Sequence, residues 1–337
     1  MSDPSRLISG RYRLGELLGT GGSASVFAAV DAIDGAQVAL KILHPHLSDR
    51  PAARDAFLAE ARRAEPLRHP NIVGVLGVGV DEAGDAPLAW IALERAAGSS
   101  LSEHIATLGP LPPDEAAAVI DGILRALEAA HAIGLIHRDV SPANVMVAPD
   151  ARGVLHVDGV RLLDFGLADA AGKSALGSDD LLSIEATGRA GVLGNVNYMS
   201  PEQVRGEAVD ARGDLYQAGA VLYFALTGRP PFPRETTGQT MRAHLTAPPP
   251  VPSVLDRRIP RTLDRVVVRA MLKDPGDRFA SVGAMRAALA GPAPVAAAAA
   301  PQEVTRVLGR TMVPPRVPGA PTPTPDGAHL AAGPVRH

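Results

Sequence analysis

The 337-residue chain has no cysteine, which excludes disulfide staples, thiolate nucleophiles and cysteine-bound metal. Its histidines do not gather at ligand spacing: His44-Pro45-His46 reads as a turn, and no His-Glu-x-x-His occurs. Neither sign of charge is in excess. A formal net charge of −3 gives no bulk attraction to nucleic acid or to an anionic membrane, so neither is expected as a partner. Long apolar runs are missing too. A membrane-crossing helix needs about 20 mostly apolar residues, and the nearest candidate, residues 293–300, is short, alanine-rich and bracketed by Pro292, Pro294 and Pro301. Met1-Ser2-Asp3-Pro4-Ser5-Arg6 lacks the basic-then-apolar order of a secretory leader. A cytoplasmic protein with no membrane anchor of its own is expected. Hydrophobic residues at 46% and charged residues at 20% suit a globular chain, and the length suits two lobes with an appendage.

The stretch that organises the rest is His137-Arg138-Asp139-Val140-Ser141-Pro142-Ala143-Asn144. A short strand pattern, Val145-Met146-Val147, follows it, and a second strand, Val160-Arg161-Leu162-Leu163, runs into Asp164-Phe165-Gly166. The segment offers a carboxylate on a tight loop, an amide five residues later and another carboxylate at a strand end. Those groups suffice to accept a hydroxyl proton and to hold Mg²⁺ against a nucleotide.

Upstream, residues 12–94 read as a small β-rich lobe. Strand patterns flank Gly19-Thr20-Gly21-Gly22-Ser23-Ala24-Ser25, with Val26 opening the second. Taken alone this is a turn in which glycine tolerates positive φ; alternatively it is a flap whose backbone N–H groups approach phosphate closely. Gln37–Leu43 alternates as a strand, with Lys41 on the face opposite Leu40 and Ile42. A helix is expected over 55–68, carrying Glu60, and His69-Pro70 ends it. Leu88–Glu94 reads as a buried strand. Downstream, helical patterns dominate: Pro112-Pro113-Asp114-Glu115 starts one that ends near His131, read here as a helix-end residue, and Asp210–Tyr216 starts another. Further helices are expected over 263–272 and 281–289. Between Asp164 and Glu202 lies a long polar, glycine-rich loop, a length uncommon without a role of its own. After residue 290 the composition turns to Pro, Ala, Val and Thr without period, as in a disordered tail.

Together these motifs resemble, in order and spacing, the eukaryotic-type serine/threonine protein kinases of bacteria. The resemblance covers residues 12–290 and implies an α+β, bilobal fold: an extension over 1–11, a β-rich N-lobe over 12–94, a helical C-lobe over 95–290 and a Pro/Ala-rich tail over 291–337. It implies ATP and Mg²⁺ (with Mn²⁺ as the alternative) as cofactors and proteins as substrates. Asp139 would take up the incoming hydroxyl, and Asn144 and Asp164 would hold the metal. Lys41, paired with Glu60, would orient the α/β-phosphates. Gly19, Thr20, Gly21 and Gly22 would lie over the phosphates, while Val26, Ala39, Met146 and the backbone of Glu94–Ala96 would receive adenine, with Leu93 as gatekeeper. Asp214 would brace the catalytic loop, and Arg278 would pair with Glu202. In the long loop Thr187, then Ser183, are candidate phosphosites for Arg138 to receive, and the tail threonines are candidates for a phosphothreonine-binding partner. Two departures from the family pattern bear on the chemistry: Ser141 stands for its usual lysine, and Asn195 for its usual threonine. A nucleotide-binding pseudokinase acting as a regulatory module is the alternative.

Overall fold

The alternation of Val38, Leu40 and Ile42 with Ala39 and Lys41 is the pattern that half-buries a strand, and it builds the sheet around which the first lobe forms. The structure, a computed structural model, describes residues 7–84, 86–165 and 196–291. Strands β1 (Leu7–Ile8), β2 (Tyr12–Thr20), β3 (Ala24–Asp31), β4 (Gln37–Leu43), β5 (Val75–Asp81) and β6 (Leu88–Glu94) make one antiparallel sheet in the order β1-β2-β3-β4-β6-β5. Leu7 pairs with Arg13, so the sheet takes in residues ahead of the boundary at 12 read from the sequence. One face buries Val38, Leu40 and Ile42 against Ile8, Tyr12, Ala29 and Trp90.

The other side of this lobe carries two helices. His44-Pro45-His46, read as a turn, enters a one-turn helix, α1 (Pro45–Ser48). Helix α2 (Pro51–Ala64) starts and ends four residues earlier than the sequence pattern suggested, because Pro51 sits in the first turn, where its fixed φ is favourable and its missing N–H costs nothing. Phe57, Leu58, Ala61 and Ala64 are its buried stripe.

Ser100 and Glu103 form a reciprocal capping box that starts α3 (Leu101–Leu108). Helix α4 (Pro113–Ala132) follows, with Asp114 and Glu115 in its first turn. The small sheet β7 (Ser99–Ser100), β8 (Val145–Val147) and β9 (Val160–Leu162) pairs antiparallel, with Val145 opposite Leu162. Helix α5 (Pro201–Val204) precedes α6 (Ala211–Thr227), which buries 13 of its 17 residues and ends on Gly228 in the left-handed conformation, φ 68°. A helix apolar around most of its circumference must lie inside, and α6 is the centre of this lobe. Helix α7 (Thr237–Thr246) packs on α5, α8 (Arg261–Ala270) on α6, and α9 (Val282–Leu289) on α4 and α8. One hydrophobic cluster runs from Phe57, Ala61 and Leu93 through Ile123, Leu127 and Val221 to Phe279 and Met285, so both lobes share a core.

Candidate active site

Two polar residues inside α6, Asp214 and Gln217, are wholly buried, and burial obliges each to find partners. Asp214 finds three. Its Oδ2 accepts the backbone N–H of His137 at 2.9 Å and Nε2–H of His131 at 2.7 Å, and its Oδ1 accepts the N–H of Arg138 at 2.7 Å. His131 therefore anchors the carboxylate from the end of α4, a task that its helix-end position in the sequence did not signal. Gln217 accepts from Val140 N–H at 3.0 Å and donates to the Arg138 carbonyl at 3.1 Å. The buried His137 ring donates from Nε2 to the Leu163 carbonyl at 2.8 Å and accepts the Asp139 N–H on Nδ1 at 3.2 Å. Burial lowers its pKa and keeps the imidazole neutral, as this pattern of one donor and one acceptor requires. The ring meets Phe165 edge-on at 4.6 Å.

These bonds over-determine a strained backbone. Arg138 and Asp164 are non-glycine residues at positive φ, 64° and 56°, a conformation costing about 1–3 kcal/mol each. Such strain concentrates where geometry serves a purpose, and here it falls beside Asp139 and on Asp164. Asn144 Nδ2 donates to both the Asp139 carbonyl and Asp139 Oδ2, each at 2.9 Å. Asn144 ends the 3-10 turn Pro142–Asn144, whose preceding residue, Ser141, is extended and buried.

Asp164 meets Lys41 across the lobes, Nζ to Oδ2 at 2.8 Å, with side-chain exposures of 12% and 24%. Glu60 is buried on α2, but among the described residues the ion pair of Lys41 is with Asp164 and not with Glu60. The register that places Val145 opposite Leu162, together with the Leu163 N–H to Asn144 carbonyl bond at 2.9 Å, puts Asn144 and Asp164 at the same ends of β8 and β9. An amide oxygen beside a carboxylate is a hard-oxygen donor set, which fits Mg²⁺ or Mn²⁺ and not a soft metal.

The glycine-rich turn does not rest on positive φ. Gly19, Gly21 and Gly22 do not have positive φ, and a methyl group added at Gly19 or Gly22 would meet no protein atom. Neither backbone conformation nor packing within the protein requires glycine there. The turn thus has room beside its backbone for a ligand to approach closely. Thr20 Oγ1 lies 3.3 Å from Ser25 Oγ across the turn, and Ser25 Oγ lies 3.2 Å from His44 Nε2. Val26, Ala39, Ala96 and Met146 are half-buried. Glu94 is fixed at the lobe junction: its carboxylate takes the Gly74 N–H at 3.1 Å, and Arg161 lies 3.6 Å away. Leu93, Asp164 and Phe165 line a cavity of about 20 Å³ with Ala61 and Ile91. That volume holds about one water, so the cavity is too small for a base.

Arg278 forks onto Glu202 with bonds of 2.7 and 2.8 Å, both side chains buried, and also donates to the carbonyls of Leu272, Arg212 and Lys273. His244 Nδ1 accepts from the Tyr216 hydroxyl at 2.8 Å, and its Nε2 donates to the Asn197 carbonyl at 3.1 Å. Burial, with the Lys273 cation adding to it, pushes the His244 pKa down to about 4. Gly166, Ser183, Thr187 and Asn195, as well as the tail beyond residue 291, lie outside the described residues. Among the described residues no helix is long and apolar enough to cross a membrane.

A loop aspartate that follows a strained arginine and is held by an asparagine, and a lysine–aspartate pair joining two lobes, agree with the family comparison: the protein kinase domain profile matches residues 12–288. The chain belongs to the protein kinase domain family. This kinase domain is 40% identical over 286 residues to a probable serine/threonine-protein kinase of Streptomyces coelicolor, covering 85% of this chain and 40% of that one. It is 38% identical over 289 residues to serine/threonine-protein kinase PknB of Mycobacterium leprae, covering 86% and 44%. To PksC of Streptomyces coelicolor it is 38% identical over 329 residues, covering 94% and 56%. The chain thus spans about half the length of these relatives. Among solved structures the PknI kinase domain of Mycobacterium tuberculosis matches with a TM-score of 0.63 at 26% identity, covering 86% of this chain and 98% of that one. Rad53 1–466 in complex with AMP-PNP shares the fold, with a TM-score of 0.62 at 23% identity over 83% of this chain and 65% of that one.

Proposed function

We propose that this kinase domain transfers the γ-phosphate of ATP to serine or threonine hydroxyls of proteins, itself included. The observation that carries the proposal is the setting of Asp139, held by its backbone and by Asn144 at the end of a cleft where Lys41 already meets Asp164. In this reading Asp139 Oδ accepts the hydroxyl proton as the acceptor oxygen attacks, and Asn144 steadies that carboxylate. Asn144 and Asp164 offer oxygen ligands to Mg²⁺, which when bound neutralises charge on the phosphate oxygens. Lys41 leaves Asp164 for the α/β-phosphates, with Glu60 as its partner in that state, and the Gly19–Gly22 backbone closes over them. Val26, Ala39 and Met146 enclose adenine against the Glu94–Ala96 backbone. Arg138 receives a phosphate on Thr187, or on Ser183. Phosphorylated tail threonines recruit a phosphothreonine-binding partner.

One observation favours a second reading. Ser141 brings no cation to the transferring phosphate, and losing such a contact costs about 10²–10³ in rate. That slows transfer without removing the base or the metal ligands, so a working kinase is preferred over a nucleotide-binding pseudokinase. The test gives the wild-type chain and Asp139→Asn each Mg²⁺ and labelled ATP, follows label into the chain and into a serine/threonine acceptor protein, and maps the sites. Label that depends on Asp139 is the expected result. No label from either protein, with ATP still bound, leaves the pseudokinase.

A further inference from the structure

The direction of the Asp139 side chain is set by the two peptide groups that meet at its Cα, and those groups present four polar atoms. Each is held. The Asp139 N–H goes to His137 Nδ1 at 3.2 Å, and the Asp139 carbonyl accepts from Asn144 Nδ2 at 2.9 Å. The remaining two, the Arg138 carbonyl before Asp139 and the Val140 N–H after it, both go to Gln217, at 3.1 and 3.0 Å. Among the described residues Gln217 is the side chain that grips the peptide on each side from a single amide, and it does so from the buried interior of α6, one turn after Asp214. Asp214 reaches only the upstream side, at His137 and Arg138.

The amide of Gln217 has no unused donor. Its second Nε2 hydrogen goes to Gln203 Oε1 at 3.0 Å, and Gln203 Nε2 in turn donates to the same Arg138 carbonyl at 2.6 Å. Gln203 Oε1 also accepts the N–H and hydroxyl of Ser200, at 2.9 and 3.1 Å. A closed triangle of Gln217, Gln203 and the Arg138 carbonyl therefore joins the Ser200–Gln203 segment to the loop that carries Asp139.

We infer that Gln217 is a positioning residue for Asp139, setting its direction through the flanking peptides and, with Gln203, coupling that direction to the Ser-Pro-Glu-Gln segment. The inference rests on the kinase reading above. It explains how the loop keeps its geometry where residue 141 supplies only a short hydroxyl side chain. A shift of about 1 Å in a reacting group can cost 10²-fold in rate, so the effect belongs in turnover and not in nucleotide affinity.

The test uses the full chain carrying Gln217→Met, Gln217→Glu or Gln203→Met. For each, kcat and the KM for ATP are measured beside the thermal midpoint and amide exchange of the peptide spanning 137–141. Gln217→Met keeps volume but breaks three bonds; kcat is expected to fall at least tenfold with KM for ATP within twofold. Gln217→Glu is expected to fall further, since it turns a carboxylate oxygen toward the Arg138 carbonyl and Gln203 Oε1. Gln203→Met is expected to lose less, because the Arg138 carbonyl keeps Gln217. Exchange at 137–141 should rise in both Gln217 variants. A folded Gln217→Met with kcat within twofold of wild type overturns the inference, as does a loss accounted for by the unfolded fraction. If the wild-type chain transfers no phosphate, the kinase reading fails separately, and unchanged exchange in Gln217→Met would still overturn the positioning role.

Discussion

Around Asp139 all four peptide atoms are held by side chains, those of His137 and Gln217 wholly buried, whereas at Gly19 and Gly22 an added methyl would touch no protein atom. Leu17 and Leu18 beside that turn are 55% and 44% exposed, while Val140 and Asp214 are fully buried. The loop is held through the peptide groups on both sides of Asp139; the flap carries small residues that packing within the protein does not require. The contrast assigns them different work. In the proposed reaction, the side of the cleft that would move a proton is held by bonds within the protein, and the side that would cover phosphate has room beside its glycines. Preorganised polar groups of the first kind cost no rearrangement at the moment of reaction.

Changes on the loop side should do the most damage. Asp139→Asn keeps the shape and removes the proposed base, and a positioned base contributes about 10²–10⁴ in rate, so labelled-phosphate transfer should fall by that order with the fold intact. Retained transfer would break the division at once. Next is the frame behind the loop. Glu202→Gln leaves the Arg278 guanidinium buried without its carboxylate, and breaking a buried pair costs about 3–5 kcal/mol. Chemical denaturation should read that loss, and replacing both partners with apolar residues should cost less than the sum of the single changes.

The pH response sharpens the comparison further, because His137 lies in the loop and His244 is buried against Tyr216 of α6, the helix that holds that loop. His244 is held near 4 when folded and returns to about 6.5 when unfolded. As pH falls below 6.5 the unfolded chain binds a proton that the folded chain refuses, so this stabilisation is complete above 6.5 and drains away toward 4. At about 1.4 kcal/mol per unit, the loss is roughly 3 kcal/mol at most. His137 acts in the same direction. Acid titration of the unfolding free energy should be flatter in His244→Gln than in wild type. The smallest effect belongs to the flap. Gly22→Ala should leave stability unchanged or raise it by about 0.4–1 kcal/mol, since alanine restricts the unfolded chain, while the KM for ATP rises severalfold. A loss of stability there would mean that glycine serves the fold.

Much of this division was readable from residue order. Asp139, Asn144 and Asp164 announce themselves by spacing, and the strand alternation around Lys41 and the acids at the start of α4 placed the elements that carry them. What escaped notice acts through space. His131 ends α4 like any basic helix-end residue, Gln203 sits in a four-residue helix and Gln217 interrupts an apolar one. Gln203 and Gln217 bond to backbone, and His131 to the Asp214 carboxylate, at distances in sequence that no local pattern encodes. The Lys41–Asp164 pair was hidden for a different reason: both residues were found, but which carboxylate a lysine takes depends on how α2 and the end of β9 are disposed. The start of α2 was misread because its first turn lacks acids and begins on Pro51.

Amide exchange followed by mass spectrometry on the wild-type chain, with and without Mg²⁺ and a non-hydrolysable ATP analogue, tests the division most directly. Residues 137–141 should be strongly protected in the free protein and change little on adding nucleotide, while residues 19–25 should exchange fast alone and become protected when it binds. A catalytic loop that exchanges as fast as the flap in the free protein, and is ordered only by nucleotide, would contradict the account.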